Sequence, residues 1–455
     1  MTQASTLKRR IGGLIFATVC AGGPTLAAAD AQDDRIRALE QSLARSTQVI
    51  EALAARLAEL ERAWGRPPDS VTAAPASASV PARTHENKAL ALAALQQDVS
   101  QIFDAMGKNS GETGLHGFVD VGAGWSSARD PGRERGFSAG SLDIYLTPQI
   151  GERVKSLIEL VLETDEKGSA IDLERIQIGY TFNDALTLWA GRFHTPFGAW
   201  NTTFHHGATL QTSISRPHVI DFEDRGGLVP AHSVGLWATG RARLGSGRVS
   251  YDAYLANGPS IVDRRLDPGV VTDRNTNKML GFNVGYQVNQ GLNGLTIGMH
   301  GFQSDVGQYS LGDALRGTTR VHVLGGYVTY DAQDWEVIGE FYGFRNRDAS
   351  GGLALRSSAG FVQLGHSFGA WTPYSRYERG SPNPQDNYFR SLRSARPYRH
   401  VVAGVKYALD GNSSLKLELR STRDAAYGQL DDTGAPVDVE AASYRRAQFQ
   451  YSIAF

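Results

Sequence analysis

From Gly114 onward, apolar and polar residues alternate with a period of two. In "LHGFVDVGAGW", Leu115, Val119, Val121, Ala123 and Trp125 stand against His116, Asp120 and Gly122; "LTLWAGRF", "GRVSYDAYLANG", "LGFNVGYQVN", "HVVAGVKYAL" and "SSLKLELRS" repeat the theme. That period marks strands with one apolar face. Roughly sixteen such segments of about ten residues are predicted, a length that crosses a bilayer as a tilted strand. Their starts fall near 114, 139, 152, 171, 185, 232, 247, 278, 293, 320, 333, 358, 370, 398, 412 and 445.

The connections alternate as well. After the even-numbered segments they are short, as in "ND" at 183, "GSG" at 245, "DAQD" at 331, "GA" at 369 and "DGN" at 410, with Gly and Asn expected to supply positive φ. After the odd-numbered segments they are mostly long, the longest running over 194–231. Short and long connections taking turns around an even number of antiparallel strands predict an all-β membrane protein. The expected architecture is a roughly 16-stranded antiparallel transmembrane β-barrel over 114–455, with both barrel ends on the periplasmic, short-turn side.

Before Gly114 the period changes. Ile36, Leu39, Leu43, Ile50, Leu53, Leu57, Leu60 and Trp64 step by three and four, with Ser46 the break, which predicts a coiled coil over 32–64. Arg35 and Glu40, and Arg56 and Glu61, occupy flanking positions that meet between parallel chains. Ile followed by Leu along the seam leans towards two strands, while Val49 and Ala54 widen it towards three, so both orders stay open. A Pro/Ala/Ser linker follows over 65–87, then a short helix over 88–113 with Leu92, Leu95, Val99, Ile102 and Met106 on one face. Residues 1–31 read as a signal peptide: Lys8, Arg9 and Arg10, the apolar stretch from Ile11 to Ala21, then Ala27, Ala28 and Ala29.

Composition narrows the function. With 41% apolar residues there is still no apolar run of eighteen past the N-terminus, so helical spans are excluded. A formal charge of −1 gives nucleic acid no electrostatic purchase. Cys20, the single cysteine, lies in the expected leader, which leaves the mature chain without a disulfide or a thiolate metal site. No cofactor is implied.

The charges fall on one face of the strands. Leu415, Leu417 and Leu419 alternate with Lys416, Glu418 and Arg420, and Ile158, Leu160 and Leu162 with Lys155, Glu159 and Glu163, which divides lipid from lumen. Arg175, Arg192, Arg241, Lys406 and Arg420 are the candidate lumen bases, facing Asp120, Asp143, Glu159, Glu340 and Glu418. Trp125, Trp189, Trp335, Trp371, Tyr407 and Tyr451, near strand ends, fit interfacial girdles. The long loop is expected to fold inward and narrow the pore with His205, His206, Arg216, His218, Asp221, Glu223, Asp224 and Arg225. A zinc site at the paired histidines lacks ligand spacing. Arg390, Arg393, Arg396 and Arg399 step by three, an extracellular basic ladder that suits one helical face, within the limit set by Pro397. Phe449, Tyr451, Ile453 and Phe455 form the lipid face of the last strand.

"LWAGRFHTPFGAWN", the loop after it and "GLVPAHSVGLWATG" resemble the phosphate-selective O/P-type porins of Gram-negative bacteria, and Gly191 to Asn201 is the most specific piece. The N-terminal coiled coil is similar to that of trimeric dicarboxylate-type porins. The resemblance implies a sixteen-stranded trimeric barrel in the outer membrane, an inward third loop, and an aromatic end that the barrel assembly machinery recognises. The lumen departs from the O/P pattern, because acids balance its bases. The expected function is a porin for passive diffusion of small hydrophilic solutes, anions such as phosphate or carboxylates included, and not an enzyme. The expected partners are outer-membrane lipid, lipopolysaccharide, the assembly machinery and two further copies of the chain. The alternatives are a closed-barrel tether and, with less support, a barrel hydrolase using residues such as His205, Ser213 and Asp221.

Overall fold

The computed structural model describes residues 113–128, 135–148, 150–165, 168–204, 210–269, 274, 277–289 and 291–455. The expected leader, coiled coil, linker and short helix lie outside them, as do His205 and His206. Among the described residues sixteen strands have eight or more residues. They are β1 (Thr113–Ser126), β2 (Ser141–Pro148), β3 (Val154–Asp165), β4 (Gly168–Asn183), β5 (Leu186–His194) and β6 (His232–Leu244). Then come β7 (Gly247–Ala256), β8 (Met279–Gln287), β9 (Leu295–Tyr309), β10 (Leu315–Ala332) and β11 (Trp335–Asp348). The last five are β12 (Leu355–His366), β13 (Trp371–Ser381), β14 (Tyr398–Ala408), β15 (Ser413–Asp424) and β16 (Ala442–Ala454). The largest departure from the expected starts is the tenth strand, expected at 320 and beginning at Leu315.

Each strand pairs antiparallel with the next, and β1 pairs with β16 to close the ring, with Val121 opposite Tyr451 and Ala123 opposite Phe449. Closure is what hydrocarbon demands, since an open edge there would strand a row of N–H and C=O groups. Among the described residues no helix is long and apolar enough to cross a membrane. In β15, Leu417 and Leu419 are 49% and 56% exposed while Lys416 and Glu418 are 1% and 0% exposed. Leucine outside and charge inside is the inverse of a soluble protein, and it suits a wall with lipid on one side.

The turns confirm the loop rhythm with two corrections. The third odd-to-even connection is the 37-residue span between His194 and His232 that the pattern placed there, but the connections from β3 to β4 (166–167), β9 to β10 (310–314) and β11 to β12 (349–354) are shorter than the even-to-odd connection 288–294. In "DAQD" the positive φ belongs to Gln333 (53°) and Asp334 (65°), not to Gly or Asn. Their consecutive left-handed pair is the turn that matches strand twist in a two-residue hairpin.

The long loops after β7 and β15 add small hairpins. Residues Ser260–Val262 and Arg265–Asp267 form a hairpin after β7, and Ser260 and Ile261 also pair with β9. Tyr427–Leu430 pairs with Pro436–Val439 between β15 and β16. The packed interior is not a filled barrel centre but an apolar cluster on one side of the lumen. It brings together the long loop (Phe197, Trp200, Val219, Ile220, Leu228, Val229), the loop after β13 (Tyr388, Phe389, Leu392) and inward residues of β9 to β12. Each of these large side chains stabilises its loop by about 1.5–3 kcal/mol through burial.

Candidate functional site

The loop after β5 turns into the lumen and fastens to the opposite wall. Its root is tied by the Thr195 amide to Ala231 O at 2.9 Å and by Asn201 Nδ2 to Thr195 O and Ala231 O at 2.9 and 3.1 Å. Gly198 then backs onto β11 with φ of +62°, where a Cβ would lie 2.4 Å from Glu340 Oε2, so only glycine serves there. That approach lets the Ala199 and Trp200 amides donate to Glu340 Oε1 at 2.9 and 2.6 Å, at the start of the single-turn helix α1 (Trp200–Thr203). Phe197, Trp200 and Asn201 are all fully buried. The segment Gly191 to Asn201 is therefore the piece that bends the chain inward and anchors it.

Farther along, the loop is held by β13 and β15. Arg376 Nη1 donates to Ser213 Oγ and Ser215 O, both at 2.9 Å, and its Nη2 donates to Ser215 Oγ at 2.7 Å. Glu378 Oε1 accepts from Arg376 Nε at 2.8 Å, and its Oε2 accepts from the His218 amide at 2.8 Å. Lys416 Nζ donates to Gln211 O at 2.6 Å, and Glu418 Oε2 accepts from the Ile214 amide and Tyr374 OH at 2.8 and 2.9 Å. On β11, Glu336 accepts from Thr212 Oγ1. These inward groups compensate one another while they satisfy the irregular backbone of residues 211–218, as buried polar atoms require.

Of the eight expected constriction residues, His205 and His206 lie outside the described residues, and the others divide by role. Arg216 is buried inside the loop, donating to Ile220 O, Phe204 O and Asn201 Oδ1 at 2.9 to 3.2 Å and lying over the Phe222 ring, so it shapes the loop rather than lining an opening. Burial lowers its guanidinium to about 10, still protonated. Glu223 is likewise buried against His232, accepting from the His232 amide at 2.9 Å. His232 also meets Glu174 at 2.7 Å, which pins the loop's return to the wall. Asp224 and Arg225 are exposed, and Arg225 pairs with Glu163 of β3 at 3.0 Å. His218 sits half-buried against the rings of Tyr398 and His400 at 4.6 and 5.5 Å. Ser213, the serine of the hydrolase alternative, donates to Ser215 O at 3.0 Å and accepts from Arg376, which cannot act as a general base.

Of the lumen bases, Arg175 pairs with Glu159, Arg192 with Glu174 at 3.3 Å, and Arg420 with His400 Nδ1 at 2.7 Å. Arg241 faces inward within electrostatic reach of Asp252, and Lys406 of β14 stands on the same inward row as His400 and Val402. Asp120, Asp143, Glu159, Glu340 and Glu418 all face inward too. Trp189 is a correction: it stacks on Trp237 inside the lumen at 5.8 Å instead of joining a girdle, whereas Trp371 and Tyr407 do pair outside at 4.4 Å. The basic ladder is a second correction. Only α2 (Asn387–Arg390) is helical, Arg396 contacts Asp424 at 3.8 Å, and Arg399 lies in β14 pointing outward, so the four share no helical face. Among the described residues no cluster of three or more His, Cys, Asp or Glu suits a metal ion.

Sequence reasoning missed Arg376, Glu378, Lys416 and His400 as partners of the loop, and it missed the inward packing of the loop after β13. A faint signal existed in "TPYSRYERGS", where Arg376 and Glu378 take the inward parity among outward Ser375 and Tyr377.

Acidification is expected to loosen the loop. Burial, with His400 and Arg420 nearby, lowers His218 to about 4. A freed His218 would titrate near its ordinary value, so docking is at full strength above about pH 6.5 and weakens as pH falls towards 4. Glu223, which burial would raise but His232 holds lower, acts in the same direction, while Asp221, raised by burial, opposes it. Single-channel current noise should rise between pH 7 and 4 and rise less in His218→Gln; equal pH dependence in both would contradict this.

No protein-family model matches the chain, and no curated protein matches it. Solved structures do. An anion-selective porin from Comamonas acidovorans aligns with a TM-score of 0.52 at 13% identity, covering 76% of this chain and 99% of that one. The outer membrane channel DcaP of Acinetobacter baumannii aligns with 0.49 at 12% identity, covering 75% and 97%. The trimer form of OmpT, an outer membrane protein of Vibrio cholerae, aligns with 0.48 at 11% identity, covering 75% and 99%. At this identity the likeness is one of fold: the chain is built as a closed sixteen-stranded barrel of the outer-membrane porin type.

Proposed function

We propose that the chain is an outer-membrane porin, a water-filled channel for passive diffusion of small hydrophilic solutes, with a preference for anions such as phosphate or carboxylates. The supporting observation is the charge left over once the loop is docked. Glu223, Glu340, Glu378 and Glu418 are taken up in holding the loop. At the short-turn end of the lumen, Lys155, Arg241, Arg243 and Arg248 line one cavity and, among the described residues, make no salt bridge, with Asp184 the carboxylate among its lining residues and Asp252 within electrostatic reach of Arg241. Arg243 and Arg248 stand directly opposite each other across β6 and β7, a pairing that costs free energy unless an anion or water screens it. Fixed cations in a confined aqueous path raise the local concentration of anions and resist cations.

Three copies per channel assembly suit the seam at 32–64, read as a parallel coiled coil in the periplasm, and Phe449, Tyr451, Ile453 and Phe455 suit recognition by the barrel assembly machinery. Deleting residues 33 to 64 is expected to weaken the oligomer on unheated gels; an unchanged oligomer band would show that barrel contacts suffice. The function itself is tested by purified protein in a planar bilayer. Stepwise conductance is expected, and a silent bilayer with correctly folded protein would overturn the proposal in favour of a closed tether.

A further inference from the structure

The outer face of β11 to β16 carries a belt of arginines at the long-loop end. Strand alternation places Arg345 and Arg347 (β11), Arg356 (β12), Arg379 (β13), Arg399 (β14), Arg423 (β15) and Arg445 (β16) outward, and all seven are exposed. Among the described residues none of their guanidiniums makes a hydrogen bond or an ion pair. By the same alternation no Asp or Glu occupies an outward position on these six strands. The contrast with β10 is direct, because there Arg320 is matched by outward Asp305 at 2.9 Å.

The belt is also set up against itself. Arg345 stands opposite Arg356, and Arg379, Arg399 and Arg423 stand opposite one another across three strands. Directly opposed like charges destabilise a sheet, and their Cβ atoms lie only about 4.5–5.5 Å apart. Immediately towards the membrane the same strand faces turn apolar: Tyr377 follows Arg379, Val401 follows Arg399, and Leu419 follows Arg423 within two or four residues. At about 3.3 Å per residue these are separations of one lipid headgroup.

We infer that this belt binds phosphate groups on the headgroups of anionic lipids in the leaflet that surrounds the long-loop end. Phosphate is the matching chemistry: guanidinium forks engage it with two parallel hydrogen bonds, and a group bridging two opposed arginines turns their repulsion into shared attraction. A lipid, rather than a free anion, fits because its acyl chains would cover the apolar positions below while its phosphates reach the arginines. The inference rests on the barrel spanning a membrane but not on its conducting anything.

The test is the heat stability of the purified, delipidated full-length protein in detergent, followed by gel mobility. Three probes are added: a diphosphorylated glycolipid, the same glycolipid with its phosphates removed, and inorganic phosphate. The diphosphorylated lipid is expected to raise the unfolding temperature by several degrees, and the other two are not. Substituting Arg379→Gln, Arg399→Gln and Arg423→Gln together is expected to leave the lipid-free barrel as stable as before or more so, and to abolish most of the shift. A second variant, Arg345→Gln with Arg356→Gln, should lose a smaller part. An equal shift with the dephosphorylated lipid, an equal shift with inorganic phosphate, or a full shift in the triple variant would each overturn the inference. Conductance in a bilayer is a separate readout, so a silent channel that still shows the lipid shift would contradict the porin and leave the belt standing.

Discussion

Replacing Arg376 by Ala is expected to release residues 211–218 from the wall and to give a larger, flickering single-channel current from a barrel that still folds. The guanidinium is fully buried and touches Ser213, Ser215, the Arg216 carbonyl, Gln363 and Glu378. Removing it leaves Glu378 as a buried carboxylate short of its main cationic partner and withdraws one donor each from the Ser215 and Arg216 carbonyls. Breaking one side of a buried ion pair costs about 3–5 kcal/mol. The loop can escape that cost by swinging into water, whereas the sheet, held by its ladder of backbone bonds, cannot. Ser375→Ala, one residue away on the outer face, should leave the current unchanged. A wild-type trace from Arg376→Ala, with normal folding, would mean that the loop does not govern the opening.

Removing Phe455 is expected to act on a different step, reducing the yield of folded barrel more than tenfold while leaving the ion selectivity of what does fold as it was. Gly117 and Phe455 exchange both backbone bonds at 3.0 Å across the closing seam. The Phe455 ring also covers Gly117 so closely that a Cβ there would lie 2.4 Å from it. Deletion strands the Gly117 N–H and C=O beside lipid, where each unsatisfied group costs several kcal/mol, and about 1.4 kcal/mol already corresponds to tenfold. Gly117→Val attacks the same seam from the other strand and should fail in the same way. Normal yields of heat-modifiable barrel from both variants would show that closure does not depend on this contact.

These two sites differ in how far the local sequence discloses them. The strands could be read from the sequence because their determinants are local: Leu415, Leu417 and Leu419 announce a lipid face, and Gln333 and Asp334 lie in a two-residue turn whose length alone marks a hairpin. Phe455 belongs to that class. The inward loop was legible as a long, aromatic, charged insertion, but its partners were not, since Ser213 meets Arg376 and Ile214 meets Glu418 across separations of 163 and 204 residues. No periodicity records such pairs. For the same reason Arg216 and Glu223 looked like pore charges when they are fasteners. Trp189 looked like a girdle residue because its position along the strand was clear while the face it takes depended on register with Trp237 and Gly179. Arg399 counted with Arg390, Arg393 and Arg396 by spacing, yet the strand boundary at Tyr398 separates it from them and joins it to Arg379 and Arg423.

Docking of the loop takes up Glu340, Glu378 and Glu418 and leaves the bases at the short-turn end to set selectivity, and the reversal potential across a salt gradient measures this most directly. Wild-type protein in a planar bilayer should reverse at a potential of anion-selective sign, and the Arg241→Gln, Arg243→Gln, Arg248→Gln variant should move towards zero. A cation-selective sign in the wild type, or a triple variant that reverses where the wild type does, would contradict it.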